Sequence, residues 1–126
     1  MIEVPLFRGI NEEAFVTTKE LIDKLGLEPL SKFDHRDVSG VFISDMLSDV
    51  MAGAQTGNLW LTIQTQKHIV PAANLVDVAA ILVTGGKEVP QDTIDLASRF
   101  NIAILRSKLP TFELVGKLYA LGLGGN

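Results

Sequence analysis

Four short groups of residues carry most of the chemistry open to this sequence: Ser44-Asp45, Gln64-Thr65-Gln66, Thr84-Gly85-Gly86-Lys87 and Arg106-Ser107. Each follows a stretch with the pattern of a buried strand. On open parallel sheets, ligands sit beyond the carboxyl ends of the strands. The second and third groups are the most suggestive. Two adjacent glycines permit unusual backbone angles and let amide N–H groups converge on an anion, with Lys87 as a counter-charge. The bland alternative is that Gly85-Gly86 simply makes a tight strand exit. Gln64, Thr65 and Gln66 add uncharged hydrogen-bonding groups.

Familiar catalytic patterns are missing. In a phosphate-binding P-loop a Gly-Lys-Ser/Thr triplet runs directly into a helix; here Gly86-Lys87 is followed by Glu88-Val89-Pro90. The closing Gly122-Leu123-Gly124-Gly125 looks like half of a dinucleotide fingerprint, but no helix can follow it. His35 and His68 have no local partner at metal-ligand spacing. Consecutive residues cannot all face one ion, so Asp34-His35-Arg36-Asp37 reads as a solvated turn. His68 either starts a helix or touches a ligand. Asp45 and Asp49 stand four apart and could form a carboxylate pair for acid–base work; more simply, Asp45 complements a helix dipole while Asp49 faces solvent. No serine occupies a Gly-x-Ser-x-Gly turn. An enzyme would need an unfamiliar site.

The composition narrows the classes further. At 126 residues, 47% of them hydrophobic and 6% aromatic, the chain fits one domain with an aliphatic core. The net charge is −4 and the basic residues are scattered, whereas nucleic-acid binding needs clustered Lys and Arg. Cysteine is absent, which removes disulfides, thiolate metal sites and thiol nucleophiles. The opening residues lack the pattern of a signal peptide, and the apolar runs are shorter than the roughly 20 residues that span a bilayer. The expected setting is the cytoplasm, with no membrane, metal or cofactor.

The elements that must position the four groups follow from periodicity. Residues 1–16 read as an arm or short strand. Thr17-Thr18 caps a helix with Leu21, Ile22 and Leu25 on one face, and Gly26 stops it. Val38 to Ile43 is a strand, and Ser44 or Asp45 caps a helix running to Ala54. Leu59 to Ile63 is a second strand. His68 to Asp77 is a helix apolar all round, with Pro71 in its first turn. Ala79 to Thr84 is a continuous apolar strand of the kind covered on both faces. A helix over 90–100 then places Ile94, Ala97 and Phe100 inward. Ile102 to Leu105 is the fourth strand, and a helix over 111–121 turns Leu114, Val115, Leu118 and Tyr119 to the core. Residues 122–126 are glycine-rich and expected to be flexible. Alternating strands and helices with short links require parallel pairing. The expected fold is therefore a single α/β domain of three-layer type, with a mainly parallel sheet of about four strands flanked by helices.

Met46 and Met51 are adaptable side chains and Trp60 belongs to a type enriched at interface centres. With Val50 they read either as core or as the face of a homodimer.

Several stretches together resemble the DRTGG domain family: residues 41–52 (Val-Phe-Ile-Ser-Asp-Met-Leu-Ser-Asp-Val-Met-Ala), 59–65 (Leu-Trp-Leu-Thr-Ile-Gln-Thr), Ile81-Leu82-Val83-Thr84-Gly85-Gly86, and Thr111-Phe112-Glu113. The resemblance spans about Thr17 to Leu123. The N-terminal part is also similar to the N-terminal domain of HPr kinase/phosphorylase. It implies a compact α/β domain, usually without catalytic activity, standing alone or joined to modules such as CBS pairs and pyrophosphatases. The Asp-Arg pair of the family name would fall near Thr65-Gln66, so this chain keeps Thr-Gly-Gly and lacks that pair.

Two readings result. The first is a non-catalytic regulatory or scaffolding domain that works through protein contacts, as a homodimer or with a partner enzyme or regulatory protein. The second is a sensor that binds an adenine nucleotide or phosphate against Thr84, Gly85, Gly86 and Lys87 and the Gln64, Thr65, Gln66 group.

Overall fold

The computed structural model describes residues 16–125. The arm expected over residues 1–16 lies outside them, apart from Val16. In chain order the elements are β1 (Val16–Thr17), α1 (Thr18–Leu25), β2 (Glu28–Pro29), β3 (Asp37–Val38), β4 (Val41–Ile43), α2 (Leu47–Gly53), β5 (Leu59–Thr62), α3 (Ile69–Val76), β6 (Ala80–Val83), α4 (Gln91–Arg99), β7 (Ile104–Arg106) and α5 (Thr111–Ala120).

Four parallel strands form the centre of the sheet in the order β7-β6-β5-β4. The short β2 adds antiparallel to the outer edge of β7, pairing Glu28 with Arg106 and Pro29 with Leu105. The mainly parallel α/β architecture expected from the alternation is therefore present, with one extra edge strand. Two residues carry no period, so β2 has no signature of its own. The expected single strand over 38–43 is divided. Gly40 takes φ +80°, a left-handed angle that glycine reaches without steric cost. The bend lets Val38 pair with Val16 in a separate two-stranded ribbon while Val41 begins the main sheet.

Strand alternation sorts the core into two faces. Leu59, Leu61, Ala80, Leu82 and Leu105 point to a layer containing Leu21 of α1 and Leu114 and Leu118 of α5. Trp60, Ile81, Val83 and Ile104 point the other way, toward Val50 of α2, Ile69 and Val70 of α3 and Ala97 of α4. The parallel strands march in one direction, so their right-handed crossovers place α2, α3 and α4 on a single face. After β7 the chain changes sides, and α5 packs on the face of α1. β5 and β6 are buried along their whole length, and each fully buried Leu or Ile contributes about 1.5–3 kcal/mol.

α1 begins with a capping box: Glu20 N–H donates to Thr17 Oγ1, and Thr17 N–H donates back to the Glu20 carboxylate. It stops at Gly26, φ +63°. Phe100 and Tyr119, expected inward, are exposed instead. α4 ends at Arg99, which leaves Phe100 beyond its last turn. On α5 the core face is centred on Leu114 and Leu118, and Tyr119 lies one position past it. The glycine-rich close is anchored in part: Leu123 is buried, and Val41 N–H donates to Gly124 O at 2.7 Å. Among the described residues no helix is long and apolar enough to cross a membrane.

Candidate functional site

The carboxyl ends of β4, β5, β6 and β7 form one rim, and the four residue groups singled out in the sequence all lie on it. Because β6 leads to α4 on one face and β7 to α5 on the other, their loops part at this rim. That is a topological switch point, the place where open α/β sheets carry ligands.

In this chain the two loops close on each other. Gly85 N–H donates to Leu109 O at 2.9 Å and Gly86 N–H to Ser107 O at 2.8 Å. The Thr84 and Thr111 hydroxyls lie 2.9 Å apart in a hydrogen bond. The amides expected to converge on an anion are thus already taken by carbonyls of the β7 loop. Gly85 and Gly86 have φ of +73° and +66°, so the pair serves chiefly to make this turn. Lys87 is exposed, and its carbonyl accepts from Arg106 Nη1 at 3.2 Å. Arg106 also grips Glu28 at 2.7 Å, tying β2 to β7.

The turn makes a measurable demand. Alanine at position 85 would have nothing within 4 Å, and at position 86 it would meet the Lys108 backbone at an ordinary 3.7 Å. Both replacements should therefore cost only the left-handed angle, about 1–2 kcal/mol each. Urea unfolding of the two variants checks this; a much larger loss at Gly86 alone would mean that the Lys108 loop cannot yield.

At the other end of the rim Asp45 is a strut. Its Oδ1 accepts from the buried Thr62 hydroxyl and from Ile63 N–H, each at 2.9 Å. Gln64 Nε2 donates to Asp45 O at 3.1 Å. Ser44 Oγ donates to Asp49 at 3.3 Å, so Asp45 and Asp49 do not face one point. Thr65 is held by its carbonyl, which accepts from Thr93 Oγ1 at 2.9 Å.

Between the β5 and β6 exits lies a cleft of about 390 Å3 lined by Gln66, Lys67, His68, Pro90, Asp92 and Thr93. The structure brings Gln66 and His68 together there, while Thr84 to Lys87 lie outside its lining. Pro90, Asp92 and Thr93 belong to a helix start read in the sequence only as scaffold. Their one legible signal was their position just after the β6 exit.

The remaining sequence candidates separate. His35 Nδ1 lies 2.8 Å from Thr18 Oγ1, Arg36 pairs with Asp77 at 2.8 Å, and Asp34 with its amide bonds Asn101. Asp34, His35 and Arg36 of the Asp34-Asp37 turn thus find three different partners. Of the four possible interface residues, Val50 and Trp60 are buried inside the chain. Met46 and Met51 stand exposed. Among the described residues, no cluster of three or more His, Cys, Asp or Glu is arranged to hold a metal.

No family model matches the chain, and no curated protein matches it in sequence. A solved structure matches it in fold. It is the regulatory region of Clostridium perfringens pyrophosphatase, comprising CBS and DRTGG domains, in complex with its activator diadenosine tetraphosphate. The TM-score is 0.67 at 15% sequence identity, over 98% of this chain and 58% of that one. The likeness supports a DRTGG-like fold. This chain spans less than two thirds of that neighbour's length. At such low identity the agreement concerns the path of the backbone, and the rim contacts above are this chain's own.

Proposed function

We propose that this chain is a non-catalytic regulatory or scaffolding module of the cytoplasm, acting through protein contacts as a homodimer. The observation that carries this reading is how the rim's polar groups are used. Asp45 holds Thr62 and Ile63, Thr84 holds Thr111, and the Gly85 and Gly86 amides hold the β7 loop. A catalytic acid, base or anion-stabilising amide must instead reach a substrate atom at about 3 Å. Groups committed to each other give a fixed shape, and a fixed shape serves recognition. A fold shared with the regulatory region of an enzyme supports a partner enzyme or regulatory protein, and the resemblance to the HPr kinase/phosphorylase N-terminal domain points the same way. Light scattering after size exclusion tests the dimer: twice the chain mass across a hundredfold range of concentration is expected, and a monomer throughout would remove this part of the reading.

The cleft beside His68 favours a second reading, a sensor for an adenine nucleotide or phosphate. Its volume of about 390 Å3 falls within the ordinary range of small-molecule pockets, about 300–1,000 Å3. Lys67 on its wall offers a cation to an anionic group and Gln66 and His68 offer hydrogen bonds to orient it, set against the single carboxylate of Asp92. The neighbouring regulatory region was solved with a nucleotide activator, which supports looking for one here. Titration calorimetry with AMP, ADP, ATP and phosphate should give heat that a Lys67→Ala variant abolishes. No heat from any of the four would leave the contact module alone.

A further inference from the structure

α1 and α4 show solvent the side chains expected of surface helices: Lys19, Glu20, Asp23 and Lys24 on the first, Gln91, Asp92, Asp95 and Arg99 on the second. α5 differs. Its outward face sets Phe112, Gly116, Tyr119 and Ala120 beside only two charges, Glu113 and Lys117, with Phe112 85% and Tyr119 66% exposed. Both flank Gly116, where nothing stands within 4 Å of a would-be Cβ. A second helix could therefore approach closely at that point.

Beside Tyr119 is an apolar cavity of about 140 Å3, walled by Val41, Ile43, Val115, Tyr119 and Leu123. A cavity of about 150 Å3 holds one benzene-sized ring. The same helix thus carries an exposed aromatic knob and, seven residues later, a hole of matching size and character.

Resting on the homodimer reading above, we propose that a second copy of this chain docks on α5, with the two helices antiparallel about a twofold axis and each Phe112 seated in the other's cavity. In an isologous contact residue i meets j and j meets i. Antiparallel pairing centred near Val115 and Gly116 brings Phe112 of one copy level with Tyr119 of the other. Charge follows the same symmetry. Glu113 and Lys117 lie on one flank of α5, and the twofold keeps each on that flank while reversing their order along the helix. Glu113 then meets Lys117 of the second copy, twice. The surface is the α5 face, not the α2 side on which Met46 and Met51 stand.

Phe112→Glu tests it in the full chain. The position is exposed and in the first turn of α5, where a carboxylate suits the helix dipole, so the unfolding midpoint of the monomer should hold. Dimerisation should weaken about 100-fold or more, as for loss of a buried aromatic anchor at both symmetric sites. Glu113→Lys should weaken it as well, and Glu113→Lys with Lys117→Glu should restore it. The chain has no cysteine, so an equimolar mixture of the Glu113→Cys and Lys117→Cys variants, which keep Phe112 and Tyr119, should give a covalent dimer on mild oxidation. Leu75→Cys, equally open but on α3, should not. A wild-type dimer untouched by Phe112→Glu would overturn this interface and leave the homodimer standing. A wild-type monomer at every concentration would overturn both.

Discussion

Trp60→Ala should lower the stability of this domain by about 3–5 kcal/mol, the cost of emptying a large core side chain. Trp60 is 0% exposed in the middle of β5, and it belongs to the core layer between the sheet and α2 and α3 that also holds Val50, Ile69, Val70 and Ile81. Its Nε1–H donates to Ser44 O at 2.8 Å, so the indole also fixes the chain where it leaves β4. Trp60→Phe keeps most of the apolar volume and loses that donor. It should cost about 1–3 kcal/mol, the penalty for a carbonyl left unpaired. Urea unfolding followed by circular dichroism, at two protein concentrations a hundredfold apart, gives the test. A core role predicts the same loss at both concentrations. A loss that grew with concentration would instead mark Trp60 as part of an interface between copies, because a dimer is stabilised by mass action.

The contrast between Trp60 and Phe112 shows what the residue pattern could and could not convey. β5, β6, α4 and α5 were legible because a period of two or 3.6 persists over enough positions to be recognised. Their order then implied the parallel pairing and the covered sheet. Burial of individual apolar residues was less legible. Trp60 could be core or interface on type alone, and β5 being covered on both faces decides it. Tyr119 sits one position beyond the stripe it belongs to by composition, a distinction that depends on where the helix axis lies against the sheet, whereas Phe100 lies past the last turn of α4. β2 left no trace, and the β1–β3 ribbon shows only as Val38 at the start of the expected 38–43 strand and as the close of the arm or short strand over 1–16, since two-residue strands have no period and are defined by partners far along the chain.

The site was legible as a place more than as a mechanism. Strand ends located the rim, and Thr84-Gly85-Gly86 was recognisable as an unusual turn. What those glycines do depends on residues 107–111, more than twenty positions away in the chain and brought alongside by β6–β7 pairing. A glycine pair whose amides face solvent and one whose amides face a neighbouring loop have the same sequence. The same holds for Asp45, whose position invited an acid–base or dipole role. Its carboxylate is the acceptor that closes the β5 exit. The rim of this chain is thus built by side chains holding loops, and the surface it leaves for recognition is shaped by those bonds.

Asn58 is the same principle at the opposite end of the sheet, and it supplies a second large expected effect. The sequence marks Gly57-Asn58 as a turn, where asparagine commonly sits exposed. Here Asn58 is 1% exposed. Its Oδ1 accepts Gln55 N–H at 2.8 Å and its Nδ2 donates to Ser39 O at 2.7 Å. The two partners fix the side chain's orientation, since an amide N–H can only donate and a carbonyl can only accept. The residue therefore ties the entry to β4 to the entry to β5. Asn58→Ala leaves both backbone groups without that partner, and at about 1–3 kcal/mol per stranded group the loss should be about 2–4 kcal/mol. Asn58→Asp keeps the acceptor but sets a carboxylate oxygen against the Ser39 carbonyl, so aspartate should be no milder than alanine despite its nearly identical shape. Thr56→Ala, which removes a long 3.4 Å bond from an exposed hydroxyl in the same loop, should shift stability by less than about 0.5 kcal/mol. Urea midpoints with unchanged slope would confirm that order. Tolerance of Asn58→Asp would mean that the amide's donor is not needed, and that the turn is held by its backbone alone.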